Sequence, residues 1–457
     1  MKKRLFGFLK KIDKLSPKTW FFLVFIFLCL FQFAMYPEPL RSNYIYAEDA
    51  GVFTNDFERE GIAVLMKPFA GYFVLLSRIF GVIAVSVARF FNNFNLIGTA
   101  FSVLSMIFIA FVGAYFVSDR FKFLIKSRLR RLITMLIVFL LLACLIGMYF
   151  ASVCIHWWCG IFMFLISLEL ISGKMPPKYT YPVIIIAALS SPSAFILGLG
   201  VLYWAGKTIF VDKKAKTLLK GGSPFFLFVT LFPLALQAFI IVFGNQSTEA
   251  TSSGLALSHL AETARATYES ALSIPLFSFT FNLFSSLGKM GIAPIAGGAI
   301  WLAIIIVAKK QKLLKYVIFT AICTIFIYIL TYYKRTAPVD FYQTMAEWGM
   351  FYHAVPVVAT FILISTIWAK IPRKKEIILI EAAFLLVIVP HIRIERYKMY
   401  SWKNQELIEA NEYLDFNSDT AALVHTPPFP DYEWFQYVLV PVKAEYCQKE
   451  NIICEKI

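Results

Sequence analysis

Apolar runs of about 18 residues or more recur along the whole chain, and nearly every one is bounded by a short cluster of lysine and arginine. In lipid a backbone must satisfy its own amides and carbonyls, so runs of this length are predicted to be helices crossing a hydrocarbon core of about 30 Å. Hydrophobic residues fill 59% of the 457 positions and the mean hydropathy is +0.69, far above the apolar share of a soluble domain. The expected fold class is an all-α polytopic membrane protein. A net charge of +16 would suit a nucleic-acid binder, but the cations sit beside apolar runs. There they serve headgroup contact and membrane orientation, so membrane lipids are expected partners and nucleic acid is not.

The positive-inside rule then orders the chain in a cytoplasmic membrane. Lys2, Lys3, Arg4, Lys10, Lys11, Lys14 and Lys18 place the N-terminus in the cytoplasm. No small-residue cleavage site follows the run 20–35, which reads as a retained first span. It delivers residues 36–95 outside, and 96–117 returns to the cluster Arg120, Lys122, Lys126, Arg128, Arg130 and Arg131. Within that loop, 61–91 is apolar enough to lie in the interface, with Lys67, Arg78 and Arg89 as anchors. Residues 132–172 make a hairpin that turns at His156-Trp157-Trp158, placing both indoles at the outer surface.

The run 181–205 is different. A single crossing would put Lys207, Lys213, Lys214, Lys216 and Lys220 outside, so the break at Ser190-Ser191-Pro192-Ser193 is read as joining two half-length helices that enter and leave from the cytoplasm. Spans at 225–244, 291–308, 316–332, 354–369 and 377–390 follow, for about nine full crossings in a membrane domain over 1–390. External loops are expected at 245–290 and 333–350, and a small strand-containing external domain at 391–457. Cys447 and Cys454 lie in that polar tail and close a disulfide if it faces an oxidising compartment; the other five cysteines lie in or beside apolar runs and read as packing residues.

Charge of the opposite sign gathers in one place. In a chain only 16% charged, residues 36–78 hold Glu38, Glu48, Asp49, Asp56, Glu58 and Glu60. A carboxylate fixed at a membrane surface against apolar walls is a candidate general base, because partial desolvation raises its proton affinity. Asp56, Glu58 and Glu60 look like one face of a solvated surface helix, which leaves the adjacent pair Glu48 and Asp49 as the candidates. On the same expected side lie His156, Tyr72, Arg78, the Lys334-Arg335 pair and His353. Each also has a plainer role: His156 as an interfacial anchor, Arg78 reaching to headgroups, Lys334 and Arg335 as span-end anchors, Tyr72 as packing. No P-loop, no Gly-rich dinucleotide fingerprint and no metal-type Cys/His spacing is present, so no cofactor is assigned and a divalent metal has no support.

The stretch YAEDAGVFTNDFEREGIAVLMKPFAGYFVLLSRI, within roughly residues 44–79, resembles the first external loop of bacterial GT-C superfamily glycosyltransferases that take sugars from polyprenyl phosphate. Weaker echoes fall at His156-Trp157, at Ser191-Pro192 and over 433–441. The resemblance implies a GT-C-like helix bundle in which Asp49 is the base, with Glu48 as its alternative or helper. It also implies a polyprenyl-phosphate sugar donor, a cell-surface glycan acceptor and inverting transfer at the outer face. Where such enzymes often carry an Arg-Tyr pair entering a late span, this chain has Phe351-Tyr352-His353, so Lys334, Arg335 and His353 compete for the phosphate contact. A polysaccharide polymerase and a lipid-linked sugar flippase or transporter are the alternatives. The early acidic loop speaks against the first, and polar residues gathered in loops rather than at mid-span speak against the second.

Overall fold

The computed structural model describes residues 14–35, 45, 49–69, 71–146, 154–218, 221–243, 264, 267–268, 270–272, 292–334, 354–370, 405–425, 437–449 and 452–456. Glu48, Arg335, His353, the expected span 377–390 and most of the expected loop 245–290 lie outside them, as does the side chain of Lys334. The described chain is predominantly helical and membrane-associated: four of its helical stretches, Pro17–Met35, Leu96–Phe123, Pro192–Val211 and Ser223–Phe243, are long and apolar enough to cross a membrane. Shorter apolar helices cover Ile155–Ile171, Leu314–Leu330 and Ala354–Trp368.

In chain order the long helices are α1 (Pro17–Met35), α3 (Leu75–Phe91), α4 (Leu96–Val117), α5 (Arg128–Ile146) and α6 (Ile155–Ile171), with the short α2 (Asn55–Glu60) before α3. The bundle is organised around α6. Every residue of α6 except His156 is buried, as expected of a helix that is apolar all round and surrounded by other helices. Helix α4 packs on α6 and carries α1 and α3 on its other sides. The two indoles of α6 face inward, Trp158 edge-on to Phe139 of α5 at 5.4 Å, so they do not lie at a water interface as the sequence suggested. Their apolar area is worth more against the bundle than at its rim.

The broken segment consists of α7 (Tyr181–Ala188) and α8 (Phe195–Gly206). Pro192 has no amide hydrogen to continue the first helix, and Ser191 is extended, its hydroxyl accepting the Ser193 amide at 3.1 Å. At the start of α9 (Ser223–Phe243), the Phe226 ring meets both Tyr181 at the head of α7 (5.8 Å) and Trp204 near the end of α8 (6.1 Å). The head of α7 and the end of α8 therefore both pack on the start of α9. Helices α10 (Ile292–Lys310), α11 (Leu314–Lys334) and α12 (Ala354–Trp368) complete the described bundle, α12 packing on α5, α6 and α11.

The basic clusters converge at one end. Arg128 donates to the Leu15 carbonyl (2.9 Å) and to Asp119, Arg130 to the Ala369 carbonyl (2.9 Å) and Lys315 to the Ile171 carbonyl (3.0 Å). Arg120 pairs with Glu169 and donates to the Met175 carbonyl at 2.6 Å, while Lys370 reaches the Gln311 carbonyl at 3.0 Å. Cations at helix C-termini satisfy carbonyls the helices leave open. Clusters scattered along the sequence thus close one face of the bundle.

The tail contains α13 (Gln405–Glu412) and an antiparallel sheet of β1 (Thr420–His425), β2 (Tyr437–Pro441) and β3 (Cys454–Lys456) in the order β2-β1-β3. Leu423 opposes Leu439, and Ala422 opposes Cys454. Cys447 and Cys454 form a disulfide with Cα atoms 5.9 Å apart, which ties the short edge strand β3 to the turn before it.

Candidate functional site

Asp49 opens a wide helical turn, Asp49–Thr54, in which Ala50, Val52, Phe53 and Thr54 are also buried. The Thr54 hydroxyl donates to the Asp49 carbonyl at 2.7 Å and closes the turn on itself. The turn lies on α3 at Gly81, where a Cβ would stand only 2.9 Å from the Phe53 carbonyl oxygen. Glycine there is what lets the backbone of the turn touch the helix. Asp49 is 2% exposed, so it is buried rather than part of a solvated loop.

Directly beside this turn is Arg78, in the first turn of α3 and 1% exposed. Its Nη1 donates to Asp56 Oδ2 at 2.5 Å and to the Val52 carbonyl at 3.5 Å, and its guanidinium lies 5.3 Å from the Phe53 ring centroid. The Arg78 Nε is buried and has no hydrogen-bond partner among the described residues. Burial rules out the reach to lipid headgroups. Asp56 also takes the Lys67 ammonium at 2.8 Å, and Lys67 pairs with Glu60. Burial works against the charge on Lys67, but the two carboxylates prevail and hold it above the usual lysine range.

The expected solvated acidic face is corrected by these contacts. Asp56 is mostly buried between two cations, and the Glu58 side chain, 1% exposed, pairs with Arg89. Burial pushes the Glu58 carboxyl above the usual range, and Arg89 offsets that only in part. Only Glu60 remains substantially in solvent. The reason is that α2 is covered by α3 on one side and by the tail on the other.

Tyr72 and His156 meet across the site. Gly71, at φ +78°, forms a tight turn in which Phe69 and Tyr72 exchange backbone hydrogen bonds of 2.9 and 3.1 Å. This points the Tyr72 ring edge-on at His156, with centroids 6.3 Å apart, while His156 stacks obliquely on Trp157 at 4.4 Å. The start of α12 lies close by. A Cβ on Gly160 of α6 would stand 2.9 Å from Val355 Cγ2 and 2.6 Å from Ser193 Cβ, so α6, α12 and the break between α7 and α8 meet at one point.

Two residues of this region, Gln237 and Asn55, were not singled out in the sequence, and a third, Ser190, was read only as part of the helix break. Gln237, buried in α9, accepts the Phe73 amide at 3.0 Å and donates to the Phe73 carbonyl at 3.2 Å. Ser190 accepts the Leu76 amide at 2.8 Å, and the Leu189 carbonyl takes the Leu75 amide at 3.0 Å, so the break caps the N-terminus of α3. Asn55 accepts the Leu439 amide of β2 at 2.8 Å. A glutamine inside an apolar run was a legible signal for Gln237; Asn55 gave none.

The structure thus sets the turn that Asp49 opens against the Arg78–Asp56 pair, and Tyr72 with His156 at the start of α3. Among the described residues no group of three or more His, Cys, Asp or Glu side chains is placed to hold a metal ion. Comparison with family models, with curated proteins and with solved structures gives no match.

Proposed function

We propose that this chain is a multi-pass glycosyltransferase that moves a sugar from a polyprenyl-phosphate donor to a cell-surface glycan at the outer face of the cytoplasmic membrane. The N-terminus lies inside and the tail outside. The observation that carries the reading is the burial of Asp49 in a helical turn seated on α3, beside the buried cation Arg78. Transfer off a lipid phosphate needs a base for the acceptor hydroxyl and positive charge for the departing phosphate. Here a carboxylate opens the turn and a buried cation donates to the turn's Val52 carbonyl. The acceptor O–H gives its proton to Asp49, its oxygen bonds the anomeric carbon, and the C–O bond to the phosphate breaks with the electron pair leaving on the lipid phosphate. Glu48 is the helper carboxylate, and Lys334, Arg335 and His353 compete for the phosphate contact, with His156 and Tyr72 at the sugar.

The test is transfer by purified protein supplied with polyprenyl-phosphate sugars and cell-surface glycan. Product that depends on Asp49 supports the reading. A wild-type protein that elongates a lipid-linked repeat instead is a polymerase, and one that only moves donor between leaflets is a flippase.

A further inference from the structure

Strand β2, an edge of the tail's sheet, packs on the Asp49–Thr54 turn. Leu439 opposes Leu423 in a pair whose amides point away from each other: the Leu423 amide goes to the Ile453 carbonyl at 2.8 Å, and the Leu439 amide leaves the sheet for Asn55 Oδ1 at 2.8 Å. Strand β2 therefore ends its hydrogen bonding on a side chain of the first loop rather than on another strand. An edge amide satisfied in this way binds its partner at a fixed position, because a buried donor without an acceptor is costly. Asn55 is 8% exposed and Leu439 fully buried, so water does not compete for the bond.

Asn55 directly follows the turn Asp49–Thr54 and begins α2. Further contacts hold the same two bodies together: Arg59 of α2 pairs with Glu455 of β3, Phe94 stacks on Phe416 at 6.4 Å, and the Phe94 amide donates to Asn411 Oδ1 at 2.7 Å. Arg89 lies 5.7 Å from both the Phe57 and Phe416 ring centroids, one on each side of the junction. Of these contacts, only Asn55 adjoins the Asp49 turn in sequence.

We infer that Asn55 is a positioning residue: through the Leu439 amide the C-terminal domain fixes the Asp49 turn in its working place. The catalytic consequence rests on the reading of Asp49 as base; the mechanical one does not. The bundle supplies one wall of the turn through Gly81 and the tail supplies the other. Loosening the tail should then cost turnover of bound donor more than donor binding, because orientation of the base is what is lost.

Full-length protein carrying Asn55→Ala or Asn55→Asp tests this. The aspartate keeps an acceptor oxygen for the Leu439 amide, and the alanine does not. In Asn55→Ala, hydrogen exchange of amides 49–54 is expected to accelerate about tenfold, the scale of one lost buried hydrogen bond, while 420–425 stays protected and reports a folded domain. In the transfer assay the same variant is expected to lose kcat about tenfold with KM for donor little changed, and Asn55→Asp to retain most of both. Unchanged exchange at 49–54 in Asn55→Ala overturns the inference, as does faster exchange with unaltered kcat. If wild-type protein transfers nothing, the glycosyl-transfer reading falls, and the exchange comparison still decides whether the tail holds the turn.

Discussion

The guanidinium of Arg78 and the carboxylate of Asp56 meet at 2.5 Å in a setting where the arginine is 1% exposed, and Lys67 holds the second oxygen of the same carboxylate. Removing one partner of a buried pair leaves the other charge uncompensated, which costs about 3–5 kcal/mol. Asp56→Asn should therefore destabilise the purified protein by that order in thermal or denaturant unfolding. Arg78→Leu should cost less, since Asp56 keeps Lys67, and the double variant should recover part of the loss.

Asp49→Asn is expected to lower transfer by about a hundred- to ten-thousand-fold, the usual range for a lost general base, with unfolding temperature near wild type. Glu48→Gln should lower it less. Single-turnover assays with bound donor check both, and the reverse order of effects would move the base by one position.

Glu58 supplies a pH signature. Burial raises its folded-state pKa above that of the unfolded chain, so the folded protein binds the proton more tightly and stability contributed by this group falls as pH rises above about 4.3. Glu58→Gln keeps a neutral side chain at every pH. Its unfolding temperature relative to wild type should accordingly be more favourable at neutral pH than at pH near 4, a comparison that differential scanning in detergent reads directly.

Much of the bundle was legible because membrane insertion imposes a one-dimensional rule: apolar runs alternate with cations, and a run whose lysines fall on the wrong side has to turn back. The break between α7 and α8 was legible at Ser191-Pro192, and Phe226 lies beside both Tyr181 and Trp204. The acidic loop was less legible. Its spacing placed Asp56, Glu58 and Glu60 on one helical face, but nothing local says whether such a face meets water, Arg89 or Arg78. Those partners come from a different helix, and the cover over α2 comes from strands nearly four hundred residues later, 384 in the case of Asn55 and Leu439.

On the proposed topology the Cys447–Cys454 disulfide faces the oxidising side of the membrane. Closing so short a loop is worth about 2–3 kcal/mol on chain entropy, so reduction should speed exchange of the amides in 454–456 and at their partners in β1. After reduction of intact cells, a membrane-impermeant maleimide should label both cysteines. Labelling only after permeabilisation would invert the proposed topology.

Gly81→Ala should harm the site without touching any charge. The new methyl meets a backbone oxygen that has no rotamer to escape into, and overpacking of this kind costs about 1–3 kcal/mol. Faster exchange at 49–54, with bundle helices unaffected, is the expected pattern.

The capping of α3 by the break between α7 and α8 also sets an order of events during synthesis. The Leu76 amide waits for Ser190, 114 residues downstream, and the Phe73 backbone waits for Gln237, 164 residues downstream. On the proposed topology, a nascent chain that has delivered its acidic loop across the membrane holds an unfinished helix start until the broken pair and α9 have been made. The candidate site is assembled late, from a part made early, and a ribosome-stalled chain ending before residue 189 should present that loop to protease while its first span is already in place.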